Sequence, residues 1–554
     1  MRRAVADAKL PAVTQAAPAR PPDEPIPEPG PWSPLRRPVF RALWIAGLAS
    51  NVGTWMQNVG AAWLMTSLAP TPLWVSMVQA ASSLPFFLFA IPAGALADVV
   101  DRRRLLLWAL AWLAACTAAL TALALADRIG PGGLLALTFA IGVGSAFVAP
   151  AFLAIVPELV PREEIPAAVS LNGISMNLAR AAGPAAGGLL VAAAGVGFAF
   201  LANVLSYFGV IGAIARWKRP PREGRLPPED LIGAMRAGLR YVRHSRALQV
   251  VLVRVAVFVV PGSAVWALLP LYARDQLDLG PAGYGVLLGF FGAGAVAGGL
   301  VLPALRARVG AQRVTTVSAL GYAAAMIVLG AVPTLPAAAA ALVVAGAGWL
   351  ALLTTLSAAA QMTLPSWVRA RGLSVYLLVL FGGLALGSVL WGAGAERIGV
   401  SRSFEIAGVA VAVSRLFVWR LRLPEGAAPD LTPAPRWPDP QLGVAIAADR
   451  GPVLVTVEYR IEPEQAQAFA RAMRVLGEIR LRDGAIRWGL WGDAAAPGRY
   501  LESFVVESWL EHLRQHERMT AADREVQRIA RVFHRGDAEP LVTHFIHERL
   551  PEDG

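Results

Sequence analysis

One cysteine in 554 residues has no partner for a disulfide and cannot build a thiolate metal cluster, so disulfide scaffolds and zinc ribbons are excluded. Charge is also scarce: Asp, Glu, Lys and Arg make up 16% of the chain, against about 25% in ordinary soluble proteins. With 56% hydrophobic residues and a mean hydropathy of +0.52, a single-domain soluble enzyme is excluded and a polytopic membrane protein is expected. No phosphate-binding Gly-Lys loop occurs, and the glycines from Gly289 to Gly299 follow no strand, so ATP-driven transport is not expected. No Asp or Glu stands in the middle of a long apolar run, which removes the usual proton carrier. Residues 1–37 lack the apolar core and cleavage site of a signal peptide, and their dense prolines predict a disordered leader.

Long apolar runs predict spans near 38–68, 72–97, 104–126, 132–156, 168–193 and 196–216, then, after an arginine-rich break at 217–246, near 247–272, 281–304, 312–332, 335–358, 371–396 and 402–420. The expected fold is therefore all-α, with twelve transmembrane helices in two six-helix repeats, 38–216 and 247–420. The formal charge of +12 comes mainly from arginines in short loops, so it marks topology and not nucleic acid. Arg36, Arg37, Arg102, Arg103, Arg104, Arg306, Arg308 and Arg369 fall on one side, which places both termini in the cytoplasm. A weak match between the segment from Pro157 and that from Thr363 points to internal duplication, with a substrate site near the bilayer midplane between rocking halves.

Beyond Arg420 a Pro-rich linker, 421–450, leads into a segment of ordinary charge density, 451–554. Val453 to Tyr459 alternate as a strand, Phe469, Met473 and Leu476 follow at helical spacing, and strands are predicted at Ile486–Trp491, Tyr500–Val506 and Leu541–Ile546. A helical stretch from Val526 to Phe533 completes the order β-α-β-β-α-β of a small ferredoxin-like α+β domain.

Several clusters carry chemistry. Gly94, Asp98, Asp101, Arg102 and Arg103 join the second and third spans; Gly94 permits close helix approach, and Asp98 is suited to cap a helix or pair with arginine at a cytoplasmic gate. In the fifth span, Arg180 precedes Gly183, Pro184, Gly187 and Gly188, where glycines four apart let helices touch and proline lets one bend. Arg180 and Arg254 are the charges expected at membrane depth, where they favour an anionic cargo; for Arg254 the alternative is the cytoplasmic interface. Asn51, Gln57, Asn58, Gln79, Asn172, Asn177 and Asn203 are candidates for the cavity wall or for interhelical hydrogen bonds. In the tail, His512 and His516 sit four apart on a helix without a third ligand, so no metal and no cofactor is expected.

The Gly94–Arg104 loop resembles the loop motif of the major facilitator superfamily, departing from it at Val99 and Asp101. Gly183 to Gly188 resembles the GPxxGG motif of that superfamily's antiporters, although Thr138 stands where drug antiporters carry arginine in the fourth span. With Gly53 to Gln57, Gly238 to Arg243 and Val506 to Thr520, the chain resembles the branch grouped with the enterobactin exporter, in the longer form called transmembrane secretion effectors. The tail resembles the antibiotic-biosynthesis-monooxygenase module, which implies homodimerisation through its sheet. The resemblance implies export of a siderophore, drug or metabolite across the inner membrane by alternating access, driven by protons, with Asp98, Asp101, Glu158 and Glu396 as titratable candidates. The competing expectation is a membrane-anchored enzyme, sensor or scaffold, with Trp488, Trp491, Trp509 and His512 lining a pocket in the tail.

Overall fold

The computed structural model describes residues 30–217, 231–423, 430–434, 446–447, 449–536 and 538–548; the leader to residue 29, most of the linker and the side chain of Asp98 lie outside the described residues. Proline opens the helices α1 (Pro38–Leu68), α2 (Pro72–Val99) and α4 (Pro131–Leu159), where its missing N–H costs nothing. Between them, α3 (Arg102–Leu125) starts from Asp101, whose carboxylate accepts the Arg104 N–H at 2.9 Å. A left-handed Gly195 then turns α5 (Ile165–Ala194) directly into α6 (Val196–Arg216).

The arginine-rich break holds an unexpected helix, α7 (Leu231–His244). After it, α8 (Arg246–Gly262) and α9 (Ala264–Leu271) are separated at Ser263, and a single π-turn (Tyr272–Gln276) follows. The next helix, α10 (Pro281–Ala331), is broken at Gly310, whose φ of +80° is left-handed, at the boundary expected between two spans. The bundle closes with α11 (Leu335–Met362), α12 (Arg369–Ile398) and α13 (Val400–Val418). Among the described residues, eight segments have the length and apolarity to cross a bilayer.

Two groups of helices pack internally. Before α7, α1 lies on α5 and α6, α2 on α4, and α3 on α4 and α6; after α7, α10 lies on α11 and α13, and α8 on α12 and α13. The groups meet mainly along α2–α12 and α5–α10. The interior of the second group is filled with rings: Trp266, Phe291, Trp349, Phe258 and Tyr322 stand in a chain with centroids 5.0 to 5.8 Å apart.

The tail forms a four-stranded antiparallel sheet in the order β2-β3-β1-β4, built from β1 (Val453–Arg460), β2 (Ala485–Gly492), β3 (Arg499–Val506) and β4 (Leu541–Ile546). Helices α14 (Ala466–Asp483), α15 (Trp509–Arg518) and α16 (Ala521–Val532) accompany it, and Val457, Tyr459, Phe469 and Met473 form one of its cores. His547 lies beyond the end of β4, so His544 and His547 do not share that strand.

The sheet domain rests on α7 and on the turn between α11 and α12. Glu511 accepts from Arg240 of α7 at 2.8 Å and from Arg518 at 2.6 Å, while the Arg518 guanidinium covers the Trp367 ring at 4.9 Å. Arg482 covers the Tyr241 ring at 5.3 Å, and Tyr241 donates to the Thr363 carbonyl at 2.6 Å. The end of the bundle that carries this domain is called the inner end below.

Candidate functional site

The fifth-span motif lies where α5 packs on both α1 and α10. A Cβ on Gly183 would meet Trp55 and the Val52 carbonyl, and one on Gly187 would meet the Cα of Met56 at 2.7 Å; both glycines therefore press α5 onto α1. Gly188 faces the other way. A Cβ there would come within 2.8 Å of the Gly285 Cα on α10, and one on Gly285 within 2.7 Å of the Pro184 carbonyl. Pro184 itself is buried inside α5. One short stretch thus ties α5 to its own group and to the second group at once, with backbone against backbone.

The second seam, α2–α12, is close-packed along its length. Gly392 abuts Ser76 and Leu73, Phe86 stacks on Phe381 with centroids 4.4 Å apart, and Gly94 faces Ser374 near the inner end. Just beyond Gly94, Arg102 pairs with Glu158 of α4 at 3.0 Å, and Arg103 donates to the carbonyls of Ile214 and Ala215 at the end of α6. Gly94, Asp101, Arg102 and Arg103 are thereby gathered at one end of the first group, while the Asp98 side chain lies outside the described residues. At the opposite end, Arg274 donates to the Thr66 carbonyl and Trp63 stacks on Tyr284, so the two groups touch there as well.

Within the first group lies a cavity of about 550 Å³. Residues from each of α1 to α6 line it, and none comes from α8 to α13. Of the sequence candidates, Asn51 and Asn172 reach the wall, where the Asn51 amide donates to Ser175 at 3.4 Å. Gln57 and Asn203 sit behind the wall: the Asn203 amide donates to Gln57 at 2.6 Å and to the Tyr207 hydroxyl at 3.1 Å, and only Tyr207 of this network reaches the cavity. Gln79 bonds Ser83 one turn along its own helix, and Asn58 and Asn177 are exposed.

The two arginines expected at membrane depth differ. Arg254 is buried and fully engaged, donating to Gln312, Thr315 and the carbonyls of Val418 and Leu421, so it clamps α8 to α10 and the end of α13 rather than facing a cavity. Arg180 is half-buried and has no hydrogen-bond or ion-pair partner among the described residues. Sequence reasoning missed most of the cavity wall, including Trp44, Ser50, Thr54, Phe86, Ser145 and Tyr207. Their only signal is weak: small hydroxyls and single aromatics scattered through apolar helices.

Of the four tail residues, Trp488, Trp509 and His512 lie on one side of the sheet, Trp488 packing against the cluster that holds Trp509, and Trp491 lies on the other. Trp488 packs on Gly477 and donates to the buried Glu502 at 3.1 Å, whereas Trp491, three residues on, lies on the other face of the sheet and is 62% exposed. Trp509 and His512 are buried and pack against the half-buried His544. Burial, and then the neighbouring His516 and His544, push His512 down to about 3, which keeps it neutral in the cell. Among the described residues no three His, Cys, Asp or Glu side chains converge on a metal position.

With two groups of helices meeting along close seams and a cavity in one of them, the comparison with known proteins becomes informative. The model of the family described as transmembrane secretion effector matches residues 29–552. The chain belongs to that family. Macrolide efflux protein A of Streptococcus pyogenes is 23% identical over 265 residues, which cover 48% of this secretion effector and 65% of the streptococcal protein. The multidrug efflux pump Tap of Mycobacterium tuberculosis is 26% identical over 413 residues, 72% of this chain and 96% of Tap, and the staphyloferrin A transporter of Staphylococcus aureus is 28% identical over 158 residues, 28% and 40% of the two chains. A bacterial homologue of the lysosomal transporter Spinster, solved facing inward, superimposes with a TM-score of 0.55 at 15% identity over 70% of this chain and 97% of that one, and a peptide transporter of the POT family with 0.58 at 16% identity over 69% and 93%. At that identity the likeness concerns the fold. The chain is a multi-pass membrane protein that shares its fold with those solved structures.

Proposed function

We propose that this secretion effector is a secondary active exporter of a small molecule, working by alternating access in the inner membrane with both termini cytoplasmic. The observation that carries the reading is the Gly183–Gly188 stretch, which brings α5 against α1 and α10 together, where the two groups of helices must pivot on one another. The efflux activities in the names of the streptococcal and mycobacterial relatives support the outward direction. Reading α8 with α9 as one span and dividing α10 at Gly310 yields twelve spans in two groups of six, the repeats predicted at 38–216 and 247–420. The β-α-β-β-α-β order of the tail, with β1 and β3 at the centre, supports a ferredoxin-like module that dimerises or docks a partner through its sheet.

In the cycle, the seam between Gly188 and Gly285 acts as the fulcrum, and Asp98 with Asp101, Arg102 and Arg103 stabilises the state closed at the inner end. Protons supply the driving force. Everted membrane vesicles with a respiration-driven proton gradient test this: addition of a transported siderophore, antibiotic or dye should dissipate the gradient, and Asp98→Asn should abolish the response without lowering expression. Normal flux in a well-expressed Asp98→Asn protein would sink the gate, and silence towards every compound would move the weight to the tail as a membrane-anchored enzyme or sensor.

A further inference from the structure

We infer that the cavity inside the first group of helices is a binding site for an uncharged, largely apolar molecule carrying a few hydrogen-bonding groups; this rests on the exporter reading for its role in transport, but not for its chemistry. At about 550 Å³ the cavity matches the size of a site for a drug-sized compound. Among the described residues its wall is formed by apolar side chains and a few neutral polar groups, with no Asp, Glu, Lys, Arg or His. An ionised cargo group would therefore leave water without meeting a counter-charge, a cost that a neutral cargo avoids.

The arginine that would otherwise argue for an anion stands apart. Arg180 lies four residues beyond Met176, the last lining residue of α5, about 6 Å along the axis at the rise of an α-helix, and it is not among the residues that line the cavity. Arg254 is consumed by the α8–α10–α13 clamp. What the wall offers is hydrogen bonding. The Asn172 amide has no partner among the described residues, and Asn51 has a single long contact to Ser175, so both can exchange bonds with a hydroxyl or carbonyl of the cargo. Trp44, Phe86 and Phe152 supply flat apolar contact. The mouth is marked by Gly173, which is exposed and has open space beside it.

Because all these residues belong to α1–α6, the cargo is held by one group alone and travels with it. Holding it does not require the two groups to close on it from both sides. This differs from a site shared between the halves, in which the second group would supply part of the wall.

The single native cysteine makes the test direct. In the full-length Cys116→Ser protein in membranes, Ser145→Cys places one thiol on the cavity wall, and its alkylation by N-ethylmaleimide is followed with Nile red (neutral), rhodamine 6G (cationic) or 1-anilinonaphthalene-8-sulfonate (anionic) present. Nile red should protect the thiol at a concentration at least tenfold below either ion, should leave a thiol at exposed Val532→Cys unprotected, and should lose about tenfold in potency when Asn172→Leu is added. Equal protection by an ion, or protection by no probe, overturns the inference; a thermal melt of the variants confirms that they are folded. Nile red efflux is scored separately in vesicles. Protection without efflux leaves the site standing and defeats the exporter reading, while efflux without protection defeats the site alone.

Discussion

The two groups of helices pack in the same pairwise pattern, α1–α5 with α8–α12, α1–α6 with α8–α13, α2–α4 with α10–α11, and yet one is hollow and the other filled. In the first group, Asn51, Asn172 and Tyr207 face an open cavity. In the second, the rings of Trp266, Phe291, Trp349, Phe258 and Tyr322 occupy the interior, and the Tyr322 hydroxyl is spent on the Gly262 carbonyl at 2.8 Å. Similar scaffolds thus have differently packed interiors. Five large rings stabilise one by burial and edge-to-face contact, while the other gives up that stabilisation for space.

The comparison can be broken by hollowing the filled side. Trp349→Ala removes a ring that touches Phe258, Trp266 and Tyr322, and should cost about 3–5 kcal/mol, read as a lower unfolding midpoint in detergent. A loss below about 1 kcal/mol would mean that the rings are loosely held and the contrast between the groups is superficial. The seam comes next. Gly188→Leu forces a side chain into the α10 backbone and should cost about 1–3 kcal/mol and abolish export, whereas Gly173→Leu, with open space beside it, should leave the melting temperature unchanged. Equal tolerance at both positions would show that the groups do not pivot at that contact.

A smaller effect is expected where the sheet domain rests on the bundle. Trp367→Ala removes both the ring under Arg518 and the N–H donated to the Arg518 carbonyl at 3.1 Å, together about 1–2 kcal/mol. Amide exchange in α15 should then quicken by up to about tenfold while that of α1–α6 stays constant. Uniform quickening would place the sheet domain in contact with both groups. The smallest change belongs to Arg102→Gln, which breaks the pair with Glu158 at the inner end; with both side chains partly solvated it should shift stability by no more than about 1 kcal/mol, and its measurable effect is on transport rate.

Much of the scaffold could be read from the chain before any coordinates. Apolar runs broken by Pro and Gly foretell where α1 to α6 start and stop, because proline opens a helix at no cost and Gly195 turns one sharply. The tail strands are equally legible, since Val453, Val455, Val457 and Tyr459 alternate. The helix α7 was hidden in its arginines: a short amphipathic helix whose apolar side meets other protein has neither the length nor the hydrophobicity of a span. The cavity was hidden for a different reason. Inside a bilayer both the lipid-facing and the interior sides of a helix are apolar, so periodicity does not say which of Asn51, Gln57 and Asn203 meets space and which meets another amide. Arg254 illustrates the same limit, as its four acceptors come from segments up to 167 residues away.

The contact of Gly188 with Gly285 also bears on how such a chain can change over generations. Each glycine is held by the other's backbone, so a first substitution at either position meets a main-chain atom that no rotamer can move aside. A side chain at one position alone therefore fits only if the two helices move apart. The cavity wall, made of separate side chains on six helices, carries no such linkage and is free to be retuned one residue at a time. The space in the first group can thus be reshaped side chain by side chain without disturbing the backbone seam between α5 and α10.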